Sequence, residues 1–463
     1  MDGIAKVAKA LYVLANSAGR HLELAGKFGA GDVTVRLQQR EKLEQPGWGA
    51  SHDYQVWSLL RNVLFLIYCD AGGMTNSEGL TPHQMHVPQA DLDDLADRLR
   101  RTRWPIGATN QDWSRGVPLD ELRELADRWR SAFDWRGVEA ELNRWNPTMT
   151  TVDAQDILVL HANSPHPGAL PLVINHGYPS SVVEFLDVIG PLSDPAAHGA
   201  DPADAFHVIA PSLPGFGLAP PVSEHGWTSA RMANAFVAIV HRLGYQRYGV
   251  AGGDVGAGVA QDMAVADPTS VVGVHVITDM LAAAAVLSFA GMTVDPAEFD
   301  ESQRPLVERM NHFVREGLGY IAVQQSRPAT VGYGLGDSPI AQLAWIMEKF
   351  EEWTDLGHEG RSRTIDPDRL LATVTAYWLC HNGAASAHFL YDAGHAERDW
   401  GAQPSAPRGW AVFGGGGSVV RKLMDPQHEI PHWSEYSEGG HFAPLEAPQQ
   451  FVEDVRAFFR PLR

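Results

Sequence analysis

The sequence predicts an α/β protein with a mostly parallel β-sheet, a helical insertion before the last strands and an N-terminal helical arm. Short runs of aliphatic and β-branched residues alternate with helical segments between residues 157 and 277. This strand pattern is absent from residues 281–405 and returns at residues 410–413. A glycine-rich turn at residues 250–258 joins a predicted strand to a predicted helix. Strands that alternate with helices are typical of a parallel sheet covered on both faces.

Residues 1–85 are predicted to form a helical extension of unknown role. Residues 6–15 and 56–69 have the pattern of helices, and glycine-rich segments separate them. The apolar segment 56–69 contains Arg61 and Asn62 and is shorter than the ~20 residues that a membrane-spanning helix needs. We therefore expect a packed helix there rather than a membrane element.

Residues 86–150 are predicted to form the helical arm. Residues 90–99 place acidic side chains early and basic ones late, which matches the dipole of a helix, and residues 119–133 predict a second helix. Large aromatic side chains in this region could form a binding site, but they are expected to hold the arm on the main domain. These side chains are Trp104, Trp113, Trp129 and Trp135.

Residues 151–280 and 406–463 are predicted to build the two parts of one sheet. The intervening residues 281–405 are predicted to be a helical cap, or lid, over the carboxyl ends of the strands, where folds of this class place their sites. A helix is expected at residues 229–243 and another at residues 448–459. Strand patterns occupy residues 157–160, 172–175, 206–210, 248–250, 271–277, 410–413 and 432–436.

Composition limits the class of partner. Hydrophobic residues make up 44% of the 463 residues and charged residues 20%, which is ordinary for a globular protein with a large core. The net charge of −20 argues against binding to nucleic acid or to an anionic membrane surface. Two cysteines are too few for a disulfide framework or a cysteine-based metal site and suit a reducing compartment. With no signal-peptide pattern at the start, we expect a cytoplasmic protein.

Asp254 is the candidate nucleophile. It stands between Gly253 and Val255 in the glycine-rich turn from a strand to a helix, which is the pattern of a nucleophile elbow. Asp replaces the more familiar Ser or Cys, and a carboxylate in this position can attack carbon and form an ester with the protein. The alternative is a glycine-rich loop in which Asp254 only caps the following helix.

Two further loops are placed to assist such a nucleophile. Residues 176–181 follow a strand, so the backbone amide of Tyr178, with that of Val255, would form an oxyanion hole; a simple turn that contains His and Pro is the alternative. His441 follows the last strand and can activate water, and the chain order of nucleophile before histidine is that of α/β-hydrolases.

Short motifs stand at residues 103–105, 133–136, 141–143, 176–179, 184–185, 211–217, 252–254, 327–330, 337–339, 348–350 and 439–442. Together they resemble the motifs of one family, the microsomal-type epoxide hydrolases, including bacterial members from natural-product pathways. From about Val87 to the C-terminus these motifs stand in the order of the family. The resemblance implies an α/β-hydrolase core, a helical cap, and neither a cofactor nor a metal.

The resemblance also implies roles for single residues. It makes Asp254 the nucleophile, His441 the base, and Tyr320 and Tyr391 the cap tyrosines that polarise the epoxide oxygen; Tyr377 is then expected to serve packing. The implied reaction opens an epoxide to a vicinal diol through an aspartyl ester, with the epoxide and water as the partners. Residues outside the resemblance could form a packing extension or a dimer element, so a homodimer is an open expectation.

The chain departs from the family pattern where the triad acid is expected. Residues 414–417 are all glycine, and no carboxylate follows that strand directly. Asp279, at the end of a neighbouring strand, is the favoured substitute, because the acid occupies that strand end in some α/β-hydrolases. Asp425 and Glu429 are the alternatives. If none of them serves, the second step is slow and the protein is a weakened homologue that binds a pathway intermediate.

Two departures bear on the substrate. Tyr178 and Val255 stand where the family usually has Trp, and the smaller Val255 leaves more room beside Asp254. This predicts a bulky polycyclic or polyketide-like epoxide, as in secondary metabolism. The competing enzyme class acts on a haloalkane, ester or lactone with the same nucleophile; a haloalkane enzyme would favour Trp or Asn donors beside Asp254, and Val255 does not suit that role.

Overall fold

A computed structural model describes residues 79–106, 112–354, 365–396 and 403–463. The helices expected at residues 6–15 and 56–69, with most of the predicted extension 1–85, lie outside the described residues. Within the described part of the chain, none of the helices has both the length and the apolar character needed to span a membrane.

The described residues form a nine-stranded sheet with the strand order β1-β2-β3-β5-β4-β6-β7-β8-β9. Six of the nine strands run parallel to one another: β5, β4, β6, β7, β8 and β9. The other three, β1, β2 and β3, form an antiparallel edge. The strands are β1 (Leu80–Pro82), β2 (Pro147–Val152), β3 (Gln155–Ala162), β4 (Leu170–Asn175), β5 (Phe206–Pro211), β6 (Tyr248–Gly253), β7 (Val271–Asp279), β8 (Arg408–Phe413) and β9 (His432–Glu435).

All seven strands predicted from the sequence are confirmed, and β1 and β2 were missed. The residues of β4 are all buried, as expected for a parallel strand between two layers. The sequence of β2 mixes polar threonines with few aliphatic residues, and its burial is mixed. Such a half-exposed strand lacks the continuous apolar pattern by which the central strands are recognised.

Helices cover both faces of the sheet. Successive residues of β4 belong to different apolar clusters, with Val173 in one and Leu172 and Ile174 in the other. The arm and core helices are α1 (Gln89–Arg100), α2 (Leu119–Ser131), α3 (Trp135–Asn143), α4 (Leu186–Ser193), α5 (Ser229–Arg242), α6 (Val255–Ala266), α14 (Gly417–Met424), α15 (Ala443–Glu446) and α16 (Pro448–Phe459).

The residues described between β7 and β8 include seven α-helices, and we call residues 280–395 the helical insertion. Two tryptophans of the arm are buried, and one of them joins the arm to this insertion: Trp129 Nε1 donates a hydrogen bond to Thr375 Oγ1 at 2.8 Å. Trp135 donates within its own helix, to Glu139. The insertion comprises α7 (Met280–Phe289), α8 (Arg304–Glu316), α9 (Gly319–Ser326), α10 (Pro328–Asp337), α11 (Pro339–Trp353), α12 (Pro367–Leu379) and α13 (Asn382–His395).

Candidate active site

Asp254 lies at the sharp turn between β6 and α6. Its φ of 52° and ψ of −127° are rare for a residue with a side chain, and such backbone strain typically costs about 1–3 kcal/mol. The turn also requires glycines. A Cβ on Gly252 would lie 2.3 Å from the Gly256 carbonyl oxygen, and a Cβ on Gly256 would lie 2.1 Å from the Asn175 carbonyl oxygen. This close approach of strand and helix is the geometry of a nucleophile elbow.

The Asp254 side chain does not cap the helix that it precedes. The residue occupies the N-cap position of α6, but its side chain accepts no capping hydrogen bond from the helix amides, so the helix-cap interpretation is wrong. Instead, its Oδ1 accepts a hydrogen bond from the Tyr178 amide at 2.8 Å. Val255, the other expected donor, is the first residue of α6, where backbone N–H groups have no acceptor within the helix.

His441 joins two carboxylates. Its Nδ1 lies 2.8 Å from Asp279 Oδ2, and its Nε2 lies 3.6 Å from Asp254 Oδ2. The second oxygen of Asp279, Oδ1, accepts hydrogen bonds from the amides of Leu281 at 2.6 Å and Ala282 at 3.0 Å. Asp279 therefore ends β7, caps the first helix of the insertion and holds the imidazole at the same time.

The surroundings of His441 favour its protonated form. Burial alone lowers the pKa of the imidazole, but the charges of Asp279 and then Asp254 raise it to about 9. Trp353 covers the imidazole: the two rings meet edge-on with centroids 4.9 Å apart, and the Trp353 carbonyl accepts the His441 amide at 3.0 Å. This tryptophan lies in the helical insertion, and sequence reasoning did not single it out.

The other candidate acids are engaged or exposed. The side chain of Asp425 is buried, and it accepts the backbone amides of Glu429 at 2.7 Å and Ile430 at 3.3 Å. Glu429 itself is exposed. Among the described side chains, Asp279 is the carboxylate whose hydrogen bond holds His441 Nδ1.

Tyr320 lies on α9 in the insertion and packs against the residues that surround the catalytic carboxylate and the histidine. Its ring stacks on Tyr178 with centroids 6.1 Å apart and packs on Trp353 at 5.4 Å. The buried Lys349 places its Nζ 4.9 Å from the centroid of the Tyr320 ring. Burial and then the charge of Asp254 raise the pKa of Tyr320 well above its usual value. The phenol thus stays protonated and can act as a hydrogen-bond donor.

The structure does not bring Tyr391 into this group. Its side chain is 37% exposed, and its ring stacks on His395 with centroids 4.0 Å apart. Phe389, two residues earlier on α13, points to the interior and contacts Phe216 at a centroid distance of 5.4 Å. Residues two apart on a helix face different directions. The assignment of Tyr391 as a second polarising tyrosine is therefore corrected.

The loop that carries the Tyr178 amide is tied to the insertion by two hydroxyl groups. The Tyr178 hydroxyl accepts hydrogen bonds from Gln324 Nε2 at 3.1 Å and Trp345 Nε1 at 2.5 Å. The buried Tyr377 donates its hydroxyl to the Ser180 carbonyl at 3.0 Å. The sequence contains one indication of these contacts, which is Tyr in place of the family's usual Trp at residue 178. A buried hydroxyl group requires hydrogen-bond partners.

One group of side chains in the described part of the chain has the composition of a metal site: His275, His432 and Asp454. His275 Nε2 and His432 Nε2 lie 2.6 Å and 3.2 Å from oxygens of Asp454, which are hydrogen-bond distances. Tyr436 also donates to Asp454 at 3.0 Å. Direct hydrogen bonds therefore account for the close contacts of this group. Asp454 lies on α16, His432 on β9 and His275 on β7.

Comparisons with known proteins agree with this geometry. The family model described as "Epoxide hydrolase N terminus" matches residues 80–185, and the one described as "alpha/beta hydrolase fold" matches residues 171–316. A protein of Stigmatella aurantiaca named "Putative epoxide hydrolase" is 41% identical over 387 residues, which cover 83% of this chain and 86% of that protein.

Two further relatives come from animals. Epoxide hydrolase 1 of Sus scrofa is 30% identical over 406 residues, which cover 82% of this chain and 88% of that protein. The crystal structure of juvenile hormone epoxide hydrolase from the silkworm Bombyx mori matches with a TM-score of 0.70 and 26% identity over 83% of this chain and 95% of that chain. The fold class predicted from the sequence, an α/β-hydrolase fold with a mostly parallel sheet and helical insertions, is thereby confirmed.

Proposed function

Since the chain belongs to the microsomal-type epoxide hydrolase family and is an epoxide hydrolase, we propose that it opens its substrate in two steps through an ester on Asp254. The observation that carries this mechanism is the position of His441. One imidazole nitrogen lies 2.8 Å from Asp279 and the other 3.6 Å from Asp254. A histidine held in this way can take a proton from the water that attacks the ester once the ester has formed.

In the first step, Asp254 Oδ2 attacks an epoxide carbon while Oδ1 keeps its hydrogen bond to the Tyr178 amide. The carbon–oxygen bond of the epoxide breaks, and the departing oxygen receives a hydrogen bond and a proton from Tyr320. The helical insertion supplies this donor and acts as the cap. A positioned donor of this kind is typically worth about 10²–10³ in rate.

In the second step, His441 Nε2 takes a proton from water, and the water oxygen bonds to the ester carbon of Asp254. The negative oxygen of the tetrahedral intermediate is held by the amides of Tyr178 and Val255. The ester bond then breaks, and the product oxygen takes the proton from His441. The second proton of the water, left on the Asp254 carboxyl, returns to the Tyr320 phenolate, so that Asp254 is again a carboxylate and Tyr320 a phenol. Ester formation removes the charge of Asp254, which raises the pKa of His441 in the free enzyme. The pKa of His441 therefore falls when the ester forms, so that more of the imidazole is neutral and able to take a proton from water.

The substrate belongs to this proposal as well. Val255 is partly buried beside Asp254, and its short side chain leaves space that a larger residue would fill. This supports a bulky secondary-metabolite epoxide. Turnover of a bulky polycyclic epoxide is expected to exceed that of styrene oxide in kcat/KM, and a preference for styrene oxide would contradict the assignment.

Labelling with heavy-oxygen water tests the mechanism. With enzyme in excess over a racemic epoxide, the first-turnover diol is expected to be unlabelled, while the peptide that contains Asp254 gains one labelled oxygen. The reason is that water attacks the ester carbon and not the epoxide. Asp254→Asn is the matched control and is expected to give neither diol nor ester. Label in the first-turnover diol, with an unlabelled Asp254 peptide, would instead indicate direct attack by water.

A further inference from the structure

A small cavity lies beside His441 at the carboxyl ends of β4 and β6. The polar side chains that line it are Asn175, Glu184 and His441. Gly252 and Gly253 also line it, and the remaining residues of the lining are apolar. The space suits about one water molecule. Gly253 directly precedes Asp254, so the cavity adjoins both the nucleophile and the base.

Asn175 presents an acceptor to this cavity. Its Nδ2 donates to the Ala251 carbonyl at 3.1 Å, which fixes the orientation of the amide. Its Oδ1 is buried and has no hydrogen-bond partner among the described residues. Buried polar atoms are rarely left without a partner, and an enclosed water often supplies one. Asn175 ends β4, so this acceptor is held by the sheet.

Glu184 presents a carboxyl group to the same cavity. It belongs to a short 3₁₀ turn, Val182–Phe185, and is 7% exposed. Burial raises the pKa of its carboxyl to about 7, Ser180 and His441 act in the opposite direction, and Asp254 adds to the rise. A carboxyl group with this pKa can accept or donate a hydrogen bond at neutral pH. The two steps proposed above leave this group without a function.

We propose that Glu184 is a positioning residue which, with Asn175 Oδ1, holds the hydrolytic water beside His441 for attack on the ester of Asp254. The inference rests on the proposed two-step mechanism and adds a residue to its second step. One O–H of the water loses its proton to His441 Nε2 as the oxygen bonds to the ester carbon. The other O–H remains directed at the cavity acceptors, and Glu184 neither gains nor loses a proton.

Glu184→Gln tests this role, because glutamine keeps the volume and loses the carboxylate. In single-turnover experiments followed by tryptophan fluorescence, ester formation is expected to stay within twofold of the wild type. Ester breakdown is expected to slow at least tenfold, so that the Asp254 ester accumulates and can be detected by mass spectrometry after acid quenching. Tryptophan fluorescence is a suitable readout because the ring centroid of Trp353 lies 4.9 Å from that of His441.

Two further variants keep the test specific. Glu438→Gln is the matched control, since Glu438 is exposed and lies three residues before His441; it is expected to leave both rates unchanged. Glu184→Asp keeps the carboxyl group on a shorter side chain, so ester breakdown is expected to fall between the rates of wild type and Glu184→Gln.

Three outcomes would overturn the inference. Ester breakdown in Glu184→Gln within twofold of wild type would do so, and so would an equal slowing of both half-reactions in Glu184→Gln and Glu184→Asp, which indicates a purely structural role. A wild-type protein that yields diol without any Asp254 ester would overturn the proposed mechanism itself and the inference with it. These results are distinguishable, because only the last one appears in the wild type.

Discussion

The two halves of the active site differ in what holds them. Asp254, Asp279 and His441 come from the sheet: the first two follow or end the adjacent strands β6 and β7, and the third follows β9. Tyr320 comes from a helix of the insertion. Hydrogen-bond register fixes the position of a strand end, whereas the direction of a helical side chain depends on the rotation of the helix. The core half is therefore specified more rigidly than the half contributed by the insertion.

Removing the triad acid breaks the core half and has the largest expected effect. Asp279→Asn is expected to lower kcat on the order of 10⁴-fold, because an amide does not hold the imidazole in the required tautomer. Asparagine still caps a helix, so the free energy of unfolding changes little. Asp279 raises the pKa of His441; its loss lowers that pKa, and the rising limb of the pH–kcat profile moves to lower pH.

The matched control for this variant is Glu429→Gln, which changes an exposed candidate acid. It is expected to keep kcat within twofold of the wild type. An Asp279→Asn protein within tenfold of wild-type kcat would show that another group supports His441.

Replacement of each predicted cap tyrosine by phenylalanine removes only its hydroxyl group and so compares the contributions of Tyr320 and Tyr391 to catalysis. Tyr320→Phe is expected to slow ester formation about 10²-fold, since a donor to the departing oxygen is lost. Tyr391→Phe is expected to stay within twofold, because this residue is 37% exposed and its ring stacks on His395. Rapid-quench measurement of ester formation separates the two. A comparable loss in Tyr391→Phe would indicate that α13 is rotated during the reaction.

The smallest expected effect comes from the contact between the two halves. Tyr178→Phe keeps the amide and the ring but leaves Gln324 and Trp345 without an acceptor, so the free energy of unfolding is expected to fall by about 1–3 kcal/mol. We expect kcat to fall about threefold to tenfold as Tyr320 loses its fixed position. Urea unfolding and steady-state kinetics measure the two effects.

Tyr248→Phe is the control for this last variant. Tyr248 is also buried and donates to Asp267 at 3.1 Å, but it lies at the start of β6, away from Asp254. Its loss is expected to lower stability without lowering kcat. Equal changes of kcat in both variants would contradict a specific role for the Tyr178 hydroxyl.

The central strands β4, β5 and β6 could be predicted from the sequence because nearly all of their residues are buried, which gives continuous apolar runs. The same topology explains why Asp279 was a reasonable candidate acid. In the register of β7 and β8, Asp279 pairs with Phe413, the residue just before the glycine loop at 414–417. A carboxylate at the end of β7 therefore lies at the same edge of the sheet as a carboxylate that would directly follow β8. Sequence alone gave the strand ends, but the contact with His441 required the structure.

The insertion was less predictable for a physical reason. One residue along a helix changes the direction of a side chain by about 100°, so a motif that matches to within a residue does not determine which side chain faces the site. Phe389 points inward and Tyr391 outward on the same helix. The contacts of Trp345, Gln324 and Trp353 also depend on tertiary packing, which no local pattern encodes.

The position of Asp279 constrains how the catalytic core and the insertion can be recombined. Its two oxygens belong to different modules: Oδ1 caps α7, which opens the insertion, and Oδ2 holds His441 of the core. In a chimera, an insertion from a relative is compatible only if its first helix accepts this cap without turning Oδ2 away. The glycines at 414–417 carry no catalytic carboxylate, and the positive φ of Gly414, Gly415 and Gly416 favours glycine there for its backbone conformation alone. Exchange at residue 279 therefore carries a catalytic penalty that exchange at the glycine loop does not.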